Sequence, residues 1–288
     1  MHNLETYLQG AKEKNIAIGH FNISNVEALW AIFEAARDLG EPVIIGVSEG
    51  ERDFVGIRQA ASLVQSIRNE YNYPIFINAD HTHDVEGVRK CIDAGFDSVM
   101  IDGSKLDFDE NVLMTKQVVD YAREIKQKES RIVLVEAELG YIGSSSAVLD
   151  EIPEGAGDDE TTPEIAQKFV EETGVDIFAP SVGNIHGVVK SGNPHIDAER
   201  VAQISEATNC HLVLHGGSGI SDEDIRAGIE AGINIVHVNT EIRVAFREGL
   251  EKGLKENDSV APYKYMNVPR EEVRKVVAQK IKLFANLA

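Results

Sequence analysis

The stretch Asp93-Ala94-Gly95-Phe96-Asp97-Ser98-Val99-Met100-Ile101 ends a helix, turns at a glycine and enters a β-branched strand at once. Glycine suits the position after a helix because it adopts positive φ without steric penalty. Residues 172–178 and 230–236 repeat this helix–glycine–strand pattern. Parallel strands need crossover helices between them, so a repeated unit of this kind predicts an α/β fold with a parallel sheet.

Eight short β-branched runs alternate with longer stretches whose apolar residues recur at helical spacing. The candidate strands are residues 17–22, 42–47, 74–78, 97–101, 131–138, 176–180, 211–215 and 233–238. Eight βα units in 288 residues are typical of a (β/α)8 TIM barrel. We expect one barrel domain over residues 1–288, with an N-terminal helix before Ala17 that caps the bottom and a C-terminal helix after Pro269.

An open, doubly wound sheet is the alternative α/β architecture. It does not require polar residues at every strand end, whereas a barrel gathers its site there. Helix starts are predicted from capping patterns at Ser24, where Glu27 completes a capping box, at Thr162-Pro163 and at Ser221-Asp222.

Composition excludes several classes of protein. The chain has 28 basic and 48 acidic residues, a formal net charge of −20, which disfavours binding to nucleic acid or to an anionic membrane. No apolar run approaches the roughly 18 residues of a membrane helix, and residues 1–5 show no secretory signal. The two cysteines, Cys91 and Cys210, cannot form a disulfide framework, so we expect a cytoplasmic protein.

Polar or ionisable residues stand at or just past the carboxyl end of every candidate strand. In chain order they are Asn22, Ser48, Asp80-His81, Asp102, Glu138, His186, His215 and His237 with Asn239. The strand ends of a barrel converge on one face, so residues distant in sequence would share one site. This pattern favours the barrel over the open sheet.

Three of these histidines, His81, His186 and His215, suggest a metal site. Three neutral imidazoles with an open fourth position are the ligand set of a catalytic zinc ion. Asp80 precedes His81 and could act as a general acid/base beside the metal. It could equally orient a histidine or cap the helix that begins near Asp84. Both neighbours reach the site only if the chain leaves the strand there.

The stretch His215-Gly216-Gly217-Ser218-Gly219 lies between the seventh candidate strand and a helix. Backbone N–H groups in such a turn can hold a phosphate, and barrels commonly bind phosphate after strands seven and eight. An ordinary βα turn is the alternative. Beside a metal ligand, the stretch favours a phosphorylated, oxygen-rich substrate.

Six motifs in order make the chain recognisable. They are Phe21-Asn22-Ile23, Asp80-His81, Ser98-Val99-Met100-Ile101-Asp102-Gly103-Ser104, Val135-Glu136-Ala137-Glu138-Leu139-Gly140, Val182-Gly183-Asn184-Ile185-His186-Gly187 and Leu212-Val213-Leu214-His215-Gly216-Gly217-Ser218-Gly219. Together they resemble the class II, metal-dependent fructose-bisphosphate and tagatose-bisphosphate aldolases. The resemblance runs from about Leu4 to the C-terminal helix.

The resemblance implies a role for each matched position. It implies zinc ligands at His81, His186 and His215, an acid/base at Asp80, and carboxylates for a second divalent or monovalent cation at Asp102 and Glu138. It implies substrate-binding residues at Asn22, Ser48, Gly187, Gly216, Gly217, Ser218, His237, Asn239 and Thr240. It also implies phosphorylated ketose and triose substrates and a homodimer or homotetramer.

The chain departs from the family pattern at two places. Residues 143–146 lack the acid that the family carries on a mobile loop, and His237 stands where the strand-eight signature has asparagine. We therefore expect the segment 141–160 to close over the site and to supply Glu151 or Glu154 as the acid. The alternative is that this segment is an ordinary solvated acidic loop. His237 is the other candidate for the group that moves the triose proton.

Other functions remain open at this stage. The pair His81-Thr82-His83 imitates two-metal amidohydrolases, although those enzymes carry it on the first strand. A non-catalytic relative that binds metal and sugar phosphate is a second alternative. No lysine stands at the strand ends, which disfavours an aldolase that works through a Schiff base. No residue decides between fructose and tagatose bisphosphate.

Overall fold

Eight parallel strands close into a barrel in the computed structural model, which describes residues 2–140, 147–151, 161–191 and 194–288. Together with β6 and β8, which lie outside the barrel, the described residues form ten strands: β1 (Ile18–Asn22), β2 (Val43–Val47), β3 (Ile75–Thr82), β4 (Ser98–Ile101), β5 (Leu134–Leu139), β6 (Val148–Glu151), β7 (Ile177–Pro180), β8 (Val188–Ser191), β9 (His211–Leu214) and β10 (Ile233–Val238). The barrel order is β1-β2-β3-β4-β5-β7-β9-β10, with β10 paired to β1. The predicted (β/α)8 barrel is confirmed.

Helices connect the strands and pack around the barrel. They are α1 (Leu4–Lys14), α2 (Val26–Leu39), α3 (Glu49–Val55), α4 (Ile57–Tyr71), α5 (Val85–Ala94), α6 (Phe108–Glu129), α7 (Pro163–Thr173), α8 (Ala198–Thr208), α9 (Asp222–Glu230), α10 (Thr240–Glu256), α11 (Pro262–Tyr265) and α12 (Asn267–Phe284). The C-terminal helix α12 packs against α2 and α10, which confirms the expected C-terminal helix. Among the described residues, no helix is long and apolar enough to cross a membrane.

The strands β6 and β8 form a separate two-stranded parallel sheet that the sequence pattern did not predict. They lie in the connections that follow β5 and β7, on the way to α7 and α8. Each has only four residues, so its apolar pattern is too short to stand out from a loop. Pairing with β6 holds β8, which ends the segment that contains His186.

The barrel interior is built in layers because alternate residues of each strand face inward. The lowest layer is apolar and packs against Leu4, Leu8 and Ala11 of α1, so α1 closes the bottom as expected. Its strand residues are Ile18, Ile44, Phe76, Leu134, Ile177, Val213 and Ile235. Two residues further along, five of these seven strands carry a buried polar side chain, namely His20, Asn78, Glu136, His215 and His237.

Local helix signals were mostly correct. Thr162 and Ser221 cap α7 and α9, and Gly95 and Gly174 follow α5 and α7 with φ of 95° and 68°. The prediction at Ser24 was wrong, because Asn25 caps α2 and its Oδ1 accepts from the Ala28 N–H at 2.8 Å. The side chain of asparagine is as good a cap as that of serine, and the helix therefore starts one residue later.

Candidate active site

Three histidine rings converge above the polar end of the barrel. The ring centroids of His81 lie 4.9 Å from those of His186 and His215, and the latter two are 5.7 Å apart. The Nε2 atom of His81 is 3.2 Å from Nδ1 of His215. Glu138 joins them, so that four residues each offer one ligand atom within 4.8 Å of the others.

The backbone brings these residues together in two ways that differ from expectation. The chain does not leave the strand at Asp80; β3 continues to Thr82 through a register shift, and His81 has a φ of 40°. Such a bulge turns successive side chains toward the same side. His186 does not end a barrel strand but lies in the connection between β7 and β8, because that connection folds back over the barrel mouth.

Hydrogen bonds on the far side of two rings leave the near nitrogen atoms available. Nδ1 of His81 contacts Oδ2 of Asp102 at 2.8 Å, and Nε2 of His215 contacts Oε1 of Glu136 at 2.7 Å. Nε2 of His186 and Oε2 of Glu138 are buried and have no hydrogen-bond partner in the described part of the chain. Oriented imidazoles next to buried, unbonded ligand atoms fit a divalent cation.

The residues of the cluster differ in their protonation states. Burial, with His81 nearby, lowers the pKa of His186 and His215 to about 3 and keeps them neutral, as metal ligands must be. Burial opposes the charge of His81, but Asp80 and the hydrogen bond to Asp102 outweigh it and raise its pKa to about 10. Burial raises the pKa of Glu138 well above its usual range.

Asp102 lies behind His81 and outside the four-residue cluster. Besides contacting His81, it accepts hydrogen bonds at Oδ1 from the N–H and the hydroxyl of Ser104, at 3.1 and 2.7 Å. Both of its oxygens are therefore engaged, and its evident effect is to orient the His81 ring. Glu138 is closer to the point where the three rings meet.

Asp80 is 4% exposed and faces the cluster. Its Oδ2 accepts from Nδ2 of Asn22 at 2.8 Å, and its Oδ1 lies 3.4 Å from Nδ1 of His237. Burial raises the pKa of Asp80, but His81 and the hydrogen bond from His237 outweigh burial, and the pKa lies well below its usual range. The α5 cap is Asp84 itself, so Asp80 has no capping role.

The glycine-rich turn after β9 forms one wall of a small pocket. A Cβ atom on Gly216 would lie 2.1 Å from the carbonyl oxygen of Ile185, and its φ is 65°, so this position requires glycine. Gly217 donates its N–H to the carbonyl oxygen of His237 at 3.0 Å. The pocket is lined by Asn22, Asp80, His81, His186, Gly187, His215, Gly216, Ser218, His237, Asn239 and Thr240.

The N-terminus of α10 faces the same turn. Glu241 in its first turn accepts from the Gly219 N–H at 2.8 Å, and the Glu241 N–H donates to the Ser218 hydroxyl at 3.4 Å. A helix N-terminus beside a glycine turn is a favourable place for a phosphate. Ser48 lies in the adjoining cleft, which Lys105 and Arg243 also line.

Three buried polar residues beneath the pocket, His20, Asn78 and Glu136, were missed at the sequence level. His20 stacks on His237 with ring centroids 3.4 Å apart, and the His237 ring lies 4.0 Å from that of His215. Burial lowers the pKa of His20 and His237 to about 4, so both rings are neutral. The ring of His20 fits because Gly46 beside it has no side chain; a Cβ there would lie 2.1 Å from the ring.

A simple signal would have found these three residues. His20, Asn78 and Glu136 each precede a predicted site residue, Asn22, Asp80 or Glu138, by two positions. Residues i and i+2 of a strand share one face. Of the loop positions named in the sequence, residues 143–146 and Glu154 lie outside the described residues, as does the side chain of Glu151.

Comparison with known proteins identifies the family. The family model "Fructose-bisphosphate aldolase class-II" matches residues 2–287. The chain belongs to this family. This match confirms the resemblance found in the sequence and excludes the hydrolase alternative. Class II aldolases are lyases and are zinc-dependent in general.

Individual relatives of the class II aldolase agree over nearly full length. The chain is 38% identical over 286 residues to the fructose-bisphosphate aldolase of Staphylococcus aureus strain Mu50, covering 98% of this chain and 96% of that one. It is 37% identical over 286 residues to the enzyme of Staphylococcus epidermidis strain RP62A, with the same coverage. The solved YdjI aldolase of Escherichia coli K12 has a TM-score of 0.82 at 29% identity, covering 99% and 97% of the two chains.

Proposed function

We propose that this aldolase reversibly cleaves fructose 1,6-bisphosphate to dihydroxyacetone phosphate and glyceraldehyde 3-phosphate with one zinc ion held by His81, His186 and His215. The observation that carries the proposal is the set of inward ligand atoms beside Asp80, two of them buried without a hydrogen-bond partner among described residues. A bound zinc ion would supply Lewis acidity toward the negative charge that develops as the C3–C4 bond breaks.

Asp80 is proposed as the base that removes the proton of the C4 hydroxyl. Its ionised carboxylate, held by Asn22, supports this role. Gly187, Gly216, Gly217, Ser218, Asn239 and Thr240 are proposed to bind dihydroxyacetone phosphate, with Asn22 and His237 beside it and Ser48 toward the aldehyde half. The N-terminus of α10 beside the glycine turn supports this placement, because a helix N-terminus favours a bound phosphate.

Glu138 and Asp102 are proposed to serve a second, divalent or monovalent, cation or an alternative position of the first. The buried oxygen of Glu138 beside the histidines supports this for Glu138. Asp102 is proposed to contribute chiefly through His81, to which it is hydrogen-bonded.

The proton of the triose half is proposed to pass through His237, or through Glu151 or Glu154 on the segment 141–160. For His237 the support is its place in the pocket and its neutral ring. The test is exchange of the triose C–H proton in heavy water by His237→Asn, Glu151→Gln and Glu154→Gln. Parent exchange rates in all three variants would exclude these residues.

We also propose a single-domain, cytoplasmic homodimer or homotetramer. The family match over residues 2–287 supports one domain. Cys91 and Cys210 are free, buried thiols, as expected of a protein in a reducing compartment. Exposed Phe54, Val260 and Tyr263 are candidates for a subunit interface. Light scattering of the purified protein would measure its molar mass in solution and so its oligomeric state.

The function is tested by coupled cleavage assays on fructose 1,6-bisphosphate and tagatose 1,6-bisphosphate, with and without a chelator. We expect cleavage of the fructose isomer, its loss with chelator and its return with added zinc. Faster cleavage of tagatose 1,6-bisphosphate would identify that isomer as the preferred substrate instead. Cleavage that survives complete metal removal would refute the metal-dependent reaction.

A further inference from the structure

Glu51, which no sequence motif assigned to the site, connects the cleft to Asp80. It lies in the first turn of α3 and is 7% exposed. Its Oε2 accepts hydrogen bonds from the Ser48 N–H and from Nδ2 of Asn22, both at 2.8 Å. Its Oε1 accepts from Nη2 of Arg243 at 2.8 Å. Every oxygen of this buried carboxylate is bonded, so its position is fixed.

The side-chain amide of Asn22 links Glu51 to Asp80. The same Nδ2 atom that donates to Glu51 also donates to Oδ2 of Asp80 at 2.8 Å. An amide nitrogen carries two hydrogen atoms, so one is directed at each carboxylate. The reversed amide would place an oxygen against both carboxylates. Glu51 therefore fixes the orientation in which Asn22 holds Asp80.

The neighbouring residue on α3 holds the backbone of the same segment. Arg52 is 4% exposed and donates to the carbonyl oxygen of Asp80 at 3.0 Å and to the hydroxyl of Thr82 at 2.9 Å, across the bulge at His81. The charge of Glu51 would repel Asp80, but Arg243 balances it. α3 thus holds both the side chain and the main chain of Asp80.

We propose that Glu51 is a positioning residue for aldol cleavage, acting on Asp80 through the amide of Asn22. This inference rests on the proposed function, since it takes Asp80 as the group that moves the C4 hydroxyl proton. Cleavage of the C3–C4 bond needs that transfer, whereas exchange of the triose C–H proton with solvent takes place in the other half of the substrate. Loss of Glu51 should therefore slow cleavage more than exchange.

The test compares Glu51→Ala, Glu51→Gln and the matched control Asp53→Asn, an exposed carboxylate on the same helix. For each we would measure zinc content, kcat and KM for fructose 1,6-bisphosphate cleavage, and exchange of dihydroxyacetone phosphate in heavy water. Glu51→Ala should lower kcat about 10- to 100-fold, the usual effect of losing an outer supporting hydrogen bond, with parent zinc content and exchange.

Glu51→Gln should lose less than Glu51→Ala, because its amide oxygen can still accept from Asn22, and Asp53→Asn should match the parent. Combined with Asp80→Asn, Glu51→Ala should have no further effect, because both act on one group. Parent kcat in both Glu51 variants, or an equal fall of cleavage and exchange, would overturn the inference while the proposed function stands. Absence of cleavage by the parent enzyme would instead refute the proposed function, and the inference with it.

Discussion

Replacing Glu136 by leucine should weaken zinc binding without a change at any proposed ligand. Oε1 of Glu136 lies 2.7 Å from Nε2 of His215, and both side chains are fully buried. The bond keeps the proton on Nε2 and leaves Nδ1 for the metal. Leucine leaves that N–H buried without an acceptor, at a cost of about 1–3 kcal/mol. That corresponds to a roughly 5- to 150-fold higher Kd for zinc.

The assay is competition for zinc with a chromophoric chelator. Glu136→Gln should bind zinc more tightly than Glu136→Leu, because the amide oxygen can still accept from Nε2. The control is Asp97→Asn, which removes a carboxylate paired with Arg68 near the opposite end of the barrel and should lower Tm but leave the Kd unchanged. A parent Kd in Glu136→Leu would show that His215 is not a ligand oriented in this way.

Three further outcomes can be measured on the same protein. Since the pKa of His81 is raised to about 10, a zinc ion that binds at pH 7 must displace the proton of this ring. Calorimetry in two buffers should therefore show proton release. The affinity for zinc should rise with pH, about tenfold per pH unit for each proton displaced. Asp80→Asn should keep zinc and slow cleavage about 10²-fold or more in the coupled assay. Gly216→Ala should bind dihydroxyacetone phosphate at least about tenfold more weakly by calorimetry, because the new Cβ is strained at positive φ and meets the Ile185 carbonyl. The control Gly50→Ala should bind it as the parent does, because the space around Gly50 is open. Absence of proton release, an unchanged cleavage rate or unchanged affinity would contradict the respective prediction.

Strand positions could be predicted from the sequence because buried parallel strands are continuous apolar runs bounded by glycine or polar residues. Each of the eight candidate strands overlaps one barrel strand of the structure, although β3 continues to Thr82 and β5 begins only at Leu134, and residues at the strand ends meet at one mouth. What the pattern could not give was the bulge that turns Asp80 and His81 together, since a bulge has no local sequence requirement except a tolerated φ.

Contacts between elements that are distant in sequence could not be predicted from the sequence pattern either. The approach of Glu51 and Arg243 joins α3 to α10 across 192 positions of the chain, and no periodicity encodes it. The Ser48-x-x-Glu51 spacing is a capping box, which accounts for the helix start but not for the bond to Asn22. The stack of His20 on His237 depends on the absence of a side chain at Gly46, a residue of the neighbouring strand.

The most direct test of the central claim is a crystal structure of the zinc-loaded enzyme with anomalous data collected on both sides of the zinc absorption edge. The account predicts one strong peak at about 2.0–2.1 Å from Nε2 of His81, Nδ1 of His215 and a ring nitrogen of His186, the usual zinc–imidazole distance. A catalytically active crystal whose zinc lies away from these three rings, or that contains no metal, would contradict it.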